Sequence, residues 1–135
     1  MTDKKSSRIQ LTIYGEPASK SNQRRLVRLK NGNPFFIKSK KALDYSKAFD
    51  EQCKPLKELY DCDLCLEMMI YYSSRRPDLD ESLILDLLQG KIYKNDRQVK
   101  IKKIYWGLDK DNPRTLIKFY PMKEEMIPKE FITII

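Results

Sequence analysis

The sequence predicts a small single domain of the α+β class, with a mixed or antiparallel β-sheet and two main helices. Three observations support this class. Apolar residues alternate over several segments of strand length, two other segments have helical spacing, and turn residues separate the segments. The predicted order is strand, hairpin, helix, strand, helix, strand, strand. This order gives one domain over residues 1–120 and a tail over residues 121–135.

The first half of the chain contains the first strand, the hairpin and the longer helix. Residues 8–14 alternate, and Gly15-Glu16-Pro17 ends that strand. Asn31-Gly32 lies between two apolar segments, and such a turn supplies the positive φ angles of a hairpin. Ser39 is expected to cap a helix that continues through Cys53.

The second half contains a central strand, a short helix and two final strands. Residues 63–72 are apolar on both alternating sides, which predicts a central strand covered on both faces. The next segment has an apolar stripe at helical spacing, formed by Leu83, Ile84, Leu87 and Leu88. Gly90 is suited to end that helix. Residues 97–108 and 114–120 predict two strands joined by a turn.

The amino-acid composition limits the classes of function that the chain can have. The chain carries a net charge of +8, which favours a polyanionic partner. It has no histidine, which excludes Ser/His and Cys/His catalytic pairs and histidine-dependent metal nucleases. Cys62-x-x-Cys65 lacks the second ligand pair of a zinc site, so we expect reduced structural thiols. Neither a membrane-spanning run nor a signal peptide is recognisable, and we expect a cytoplasmic protein with no membrane partner.

The segment Arg75-Arg76-Pro77-Asp78-Leu79-Asp80 is the main candidate site. Residues i and i+2 of an extended chain point to the same side, so Asp78 and Asp80 can face one point. Converging carboxylates suit Mg²⁺, and Asp96 further along could add a third. Alternatively, an Asp-x-Asp pair before a helix simply caps it and complements its dipole.

Basic residues suggest where a phosphate backbone would lie. Residues 20–41 contain eight basic residues and no acidic one. The expected DNA contacts are Lys20, Arg24, Arg25, Arg75 and Arg76. The alternatives are a solvated loop and, for the arginine pair, neutralisation of the nearby aspartates. We interpret Lys100, Lys102 and Lys103 as a solvated strand face. Aromatic residues in the strands could stack on bases, but core or dimer packing is favoured.

Taken together, these motifs resemble the RusA family of Holliday junction resolvases. The resemblance rests on four segments in order: Gly15-Glu16-Pro17-Ala18-Ser19-Lys20, Arg75–Asp80, Leu85-Asp86-Leu87-Leu88 and Asn95-Asp96-Arg97-Gln98-Val99. It runs from the first strand to Tyr120 and implies a RusA-like fold. It also implies a homodimer that nicks two strands of a four-way DNA junction symmetrically. By the same resemblance, Asp78, Asp80 and Asp96 would bind Mg²⁺, for which Mn²⁺ would substitute. The family also suggests a phage or prophage origin, in a bacterial or phage-infected cell.

The sequence departs from the family pattern after Asp80. The family usually has asparagine and lysine where this chain has Glu81 and Ile84, and the segment is two residues shorter. Two residues rotate a helix by about 200°, which changes the face next to the metal. We expect Glu81 to add a metal ligand and Lys94, or Lys91, to replace the missing lysine.

Two other functions remain open at this point. The chain could be a branched-DNA binding protein whose catalytic site is impaired. It could also be a basic adaptor that recruits a protein partner through residues 131–135, which end the chain with an apolar segment. That segment could also dock on its own domain or on a dimer mate.

Overall fold

The computed structural model describes residues 8–19, 24–32 and 34–132. The strands are β1 (Ile9–Tyr14), β2 (Arg24–Arg28), β3 (Pro34–Lys38), β4 (Leu64–Tyr72), β5 (Val99–Leu108) and β6 (Arg114–Pro121). The helices are α1 (Lys40–Gln52), α2 (Ser82–Leu88) and α3 (Lys129–Ile132), with short 3₁₀ turns at Asp96–Gln98 and Glu124–Met126. The α+β class and the predicted order of elements are confirmed.

Four strands form a mixed sheet in the order β1-β6-β4-β5, and β2 pairs with β3 in a separate hairpin. β6 runs antiparallel to both β1 and β4, whereas β4 and β5 are parallel. The parallel pair requires a crossover, which α2 provides. The candidate acidic residues lie on this connection, which returns from the C-terminal end of β4 to the N-terminal end of β5.

Local signals explain most boundaries. The Ser39 hydroxyl accepts a hydrogen bond from the Ala42 N–H and caps α1 as expected. Gly90 follows α2 with a φ of +81°, a conformation that glycine adopts without strain. The hairpin turn differs from a two-residue Asn-Gly turn. Strand pairing ends at Arg28, and of the described turn residues Gly32 alone has a positive φ.

The core lies on one side of the four-stranded sheet, under α1 and α2. It includes Phe49, Leu66, Ile70, Ile84 and Phe119, all at 0% exposure. The prediction that β4 is covered on both sides was wrong in part. Its second side is buried at one end and half-buried beyond it, along Glu67, Met69 and Tyr71. We call the sheet surface opposite α1 and α2 the open face.

None of the helices within the described residues is both long and apolar enough to cross a bilayer.

Candidate active site

The predicted site lies on the segment that connects β4 to α2, residues 73–81, which we call the acidic loop. Tyr72 ends β4, and its buried side chain forms two hydrogen bonds with the backbone of this loop. The hydroxyl donates a hydrogen bond to the Asp78 carbonyl oxygen and accepts one from the Asp80 N–H, each at 3.2 Å. Two backbone groups of the Asp-x-Asp pair therefore converge on one side chain.

A second aromatic residue, Trp106, binds the backbone just before Asp78. The Trp106 Nε1 donates to the Pro77 carbonyl oxygen at 3.0 Å, and its ring stacks on Tyr72 with centroids 5.9 Å apart. Burial raises the pKa of Tyr72, and neighbouring carboxylates such as Asp80 add to the rise despite the opposing hydrogen bond. Tyr72 therefore keeps its proton at neutral pH and remains a donor to the loop.

Glu16 ties the first loop of the chain to the acidic loop. One carboxylate oxygen accepts hydrogen bonds from the Ser73 N–H at 2.8 Å and the Ser73 hydroxyl at 2.9 Å. The other oxygen forms an ion pair with Lys41 at 2.7 Å. Burial alone would raise the pKa of Glu16, but the hydrogen bonds from Lys41 and Ser73 outweigh it and lower the pKa. Glu16 is therefore an anion fixed beside the motif.

These groups border a cleft of about 320 Å³ with two acids and two cations in its wall. It is lined by Glu16, Pro17, Ser19, Lys41, Ser74, Arg76, Pro77 and Asp78. Asp78 and Arg76 are exposed at its rim, where a solvent-borne ligand can reach both. Sequence reasoning placed these two residues together but did not identify Glu16 or Lys41. The available signal was that Glu16 is the sole acidic residue among residues 8–41.

Asp80 and Glu81 have defined partners at the start of α2. One Asp80 oxygen accepts a hydrogen bond from the Ser82 N–H, the first of α2, at 3.0 Å, but the N-cap position is occupied by Glu81, whose side chain makes no capping hydrogen bond. A carboxylate has about four lone-pair sites, so a hydrogen-bonded aspartate can still bind a cation. Glu81 forms an ion pair with Lys102 at 2.9 Å. Lys102 is exposed, as expected of a solvated strand residue, and its side chain also reaches the acidic loop.

Asp96 and Lys94 follow α2 in the chain. The Asp96 N–H donates to the Gln89 side chain at 3.0 Å, directly after the helix, whereas Asp80 precedes it. The 3₁₀ turn Asp96–Gln98 packs against α2. Lys94, shortly before this turn, is exposed. The other candidate lysine, Lys91, forms an ion pair with Asp50 of α1 at 2.6 Å.

Within the described residues, no three Asp, Glu, Cys or His side chains are arranged as a metal-binding group. Mg²⁺ commonly uses only one or two protein carboxylates and keeps several waters. Asp78 and Asp80, held on one hydroxyl, supply oxygen donors of that kind. The assignments of Asp78, Asp80, Glu81 and Asp96 to a metal, and of Lys94 to catalysis, stay predictions.

The predicted DNA contacts divide into two groups. Arg75 and Arg76 are exposed on the acidic loop. Arg24 and Arg25 are in β2, but their side chains lie outside what the structure describes, and Lys20 lies outside the described residues.

The tail is described only in part. Within it, Phe131 is 59% exposed and Ile132 is 50% exposed. Residues 133–135 of the proposed partner-binding segment lie outside the described residues. Docking on this domain, on a dimer mate or on another protein therefore stays a prediction.

No protein-family model matches this sequence, and no curated protein matches it either. The resemblance to the RusA family therefore rests on the motifs alone.

Proposed function

We propose that this protein is a Mg²⁺-dependent, structure-specific DNA endonuclease that resolves four-way junctions by paired nicks. The observation that best supports the proposal is that two aromatic side chains fix the backbone of the acidic loop. Tyr72 fixes the two peptide groups that lie between Asp78 and Asp80, and Trp106 fixes the Pro77 carbonyl before them. Groups that are positioned before substrate arrives need no reorganisation during the reaction.

The donor set of the loop fits the metal. Asp78 and Asp80 would hold Mg²⁺ or Mn²⁺ through carboxylate oxygens, the ligands that these hard cations prefer. Bound there, the metal would activate a water and stabilise charge on the phosphate that is cleaved. Glu81 and Asp96 are the further candidate ligands. Glu81 would first have to leave Lys102.

The cations near the loop would bind the DNA backbone. Arg76 borders the cleft beside Asp78, so a phosphodiester placed near Asp78 would also contact its guanidinium. Lys41 is held by Glu16 at the opposite wall. Arg75 would extend the contact along the backbone, as would Lys20, Arg24 and Arg25. Such contacts fix the register of DNA without reading its sequence.

The RusA family has a lysine after its second aspartate, and this chain has none at that position. Lys102 is a stronger candidate than Lys94 to replace it. It reaches Glu81, the last residue of the acidic loop, whereas Lys94 follows α2 in the chain. We expect Lys102→Ala to slow nicking by about 10²-fold, the usual effect of losing one charge-stabilising donor. Lys94→Ala is the matched control, and it should nick at the wild-type rate. The reverse result would restore the assignment of Lys94.

Two subunits related by a two-fold axis would present two such loops to a junction of similar symmetry. A homodimer is therefore part of the proposal, as is action in the cytoplasm of a bacterial or phage-infected cell.

A second candidate is a branched-DNA binding protein that does not cut. It is favoured by the finding that, among the described residues, no three Asp, Glu, Cys or His side chains are arranged as a metal-binding group. It is also favoured by the Glu81–Lys102 ion pair, which occupies one candidate ligand. The basic surface would persist in such a protein.

A labelled four-way junction distinguishes the two. The endonuclease should nick it in Mg²⁺ and not in EDTA, and Asp78→Asn or Asp80→Asn should abolish nicking while junction binding persists. Asp111→Asn, in the exposed turn before β6, is the matched control and should nick normally. A junction that is bound but never cut would favour the non-cutting protein. No binding at all would contradict both.

A further inference from the structure

The open face of the sheet carries a regular pattern of side chains. Strand register places its residues in rows across β1, β6, β4 and β5. The rows are Gln10–Lys118–Glu67–Lys103, Thr12–Leu116–Met69–Tyr105 and Tyr14–Arg114–Tyr71–Gly107. This face lies on the opposite side of the sheet from Trp106 and Lys102, which contact the acidic loop. It is thus a surface separate from the candidate active site.

Three tyrosines distinguish this face from an ordinary solvated sheet. Tyr14 is 55% exposed and Tyr105 is 53% exposed, with the half-buried Tyr71 between them. Tyr14 and Tyr71 are two strands apart, or about 10 Å, and Tyr71 and Tyr105 are diagonal neighbours at about 7–8 Å. Leu116 lies among them and is 38% exposed. The rings form a short aromatic track across the sheet.

The backbone holds the track in place. A Cβ at Gly107 would lie 2.8 Å from a ring carbon of Tyr71 and 2.9 Å from the terminal carbon of Met69. Glycine at this position therefore leaves the room in which the Tyr71 ring lies over β5. At the other edge, the Gln52 amide bonds both backbone groups of Tyr14, at 2.7 Å and 2.9 Å. The Tyr71 ring and the backbone of Tyr14 are therefore fixed in position.

Positive charge surrounds this track. Among the described residues of the face, Lys103 and Lys118 flank Glu67, whose carboxylate accepts a hydrogen bond from the Tyr120 hydroxyl at 2.6 Å. Arg8 lies 5.0 Å from the centre of the Tyr120 ring. Shallow grooves of about 450 Å³ and 230 Å³ run beside Lys118 and Lys103.

Arg114 adds both charge and a flat surface. Its guanidinium lies 4.2 Å from the centre of the Tyr71 ring, and it also bonds Asp109 at 2.6 Å and the Asn112 carbonyl at 3.0 Å. Guanidinium planes, like aromatic rings, stack on unpaired bases. Since cations outnumber carboxylates on this face, two copies placed face to face would bring like charges together. A polyanion suits the face better than a second copy of the chain.

We propose that the open face binds single-stranded DNA, with bases stacked on Tyr14 and Tyr105 and the backbone on Lys103 and Lys118. Aromatic side chains beside a positively charged groove are the common arrangement for binding single strands without sequence preference. At a branched substrate, this site would hold an unpaired segment while the acidic loop engages the duplex. The site does not depend on metal or on cleavage.

Binding of a fluorescein-labelled oligothymidylate of about 12 nucleotides, measured by anisotropy in EDTA, tests the proposal. Tyr14→Ala and Tyr105→Ala should each weaken binding about fivefold or more. Both side chains are more than half exposed, so the variants should fold. Tyr105→Phe keeps the ring and should bind as the wild type does. Lys118→Gln should reduce the dependence of affinity on salt by about one phosphate contact.

Three results would overturn the proposal. One is wild-type affinity in the Tyr14→Ala, Tyr105→Ala double variant, and another is no affinity of the wild type for the oligonucleotide. The third is a homodimer that dissociates on the same double substitution while oligonucleotide binding persists, since the face would then be a subunit interface. Asp80→Asn should leave oligonucleotide binding unchanged, so failure here is distinguishable from failure of the endonuclease proposal.

Discussion

Replacing Tyr72 with phenylalanine removes one oxygen atom and tests what holds the acidic loop. The hydroxyl is the partner of both the Asp78 carbonyl and the Asp80 N–H, each at 3.2 Å, and the residue is 1% exposed. A hydrogen bond contributes about 0.5–1.5 kcal/mol net to stability, so losing two should cost about 1–3 kcal/mol. The ring, and its stacking on Trp106, would remain.

Urea unfolding followed by Trp106 fluorescence measures this cost, because Trp106 is the only tryptophan. With a urea slope of about 2 kcal/mol/M, a loss of about 2 kcal/mol lowers the unfolding midpoint by about 1 M. Tyr14→Phe makes the same chemical change at an exposed position and should leave the midpoint unchanged. Junction nicking should also slow in Tyr72→Phe, since the Asp-x-Asp pair would lose its support.

An unchanged midpoint in Tyr72→Phe would refute the claim that this hydroxyl holds the loop. A lower midpoint with an unchanged nicking rate would show that these two hydrogen bonds stabilise the fold but are not needed for nicking.

Three further perturbations test the surrounding structure. Glu16→Gln should destabilise the protein by about 1 kcal/mol at pH 7 through loss of the Lys41 ion pair. Because the folded pKa of Glu16 is lowered, the difference should shrink as pH falls below 4.5, and a constant difference would contradict the assignment. Burial and, above all, the hydrogen bond to Glu67 raise the pKa of Tyr120 to about 12, so its stabilisation is present below pH 10 and lost as pH rises through about 12. Ultraviolet titration of Glu67→Gln should show one tyrosine returning towards 10.0, which an unaltered titration would exclude. Ser39→Ala should cost about 1 kcal/mol in urea unfolding by removing the cap of α1, and no loss would mean that the cap is dispensable.

Periodic and local signals predicted the fold well because they act over a few residues. Alternation located β1, β4, β5 and β6, and Ser39 and Gly90 located the helix ends. The exposure of one side of β4 could not be predicted in this way. An apolar strand has the same sequence whether a helix of its own chain or another molecule covers it.

The candidate site was predictable only where its residues are adjacent in sequence. Asp78, Asp80 and Arg76 lie within five positions, and a single loop carries them. Glu16 reaches Ser73 across 57 positions, which no local pattern encodes. Lys102 reaches Glu81 only because α2 returns the chain along β5.

The most direct test of the endonuclease proposal is to map the cuts on a four-way junction labelled in turn on each strand, in Mg²⁺. The proposal predicts nicks at matching positions on two opposing strands, absent in EDTA and absent with Asp80→Asn. Scattered cuts that appear equally on linear duplex, or a bound junction left intact by the wild-type protein, would contradict it.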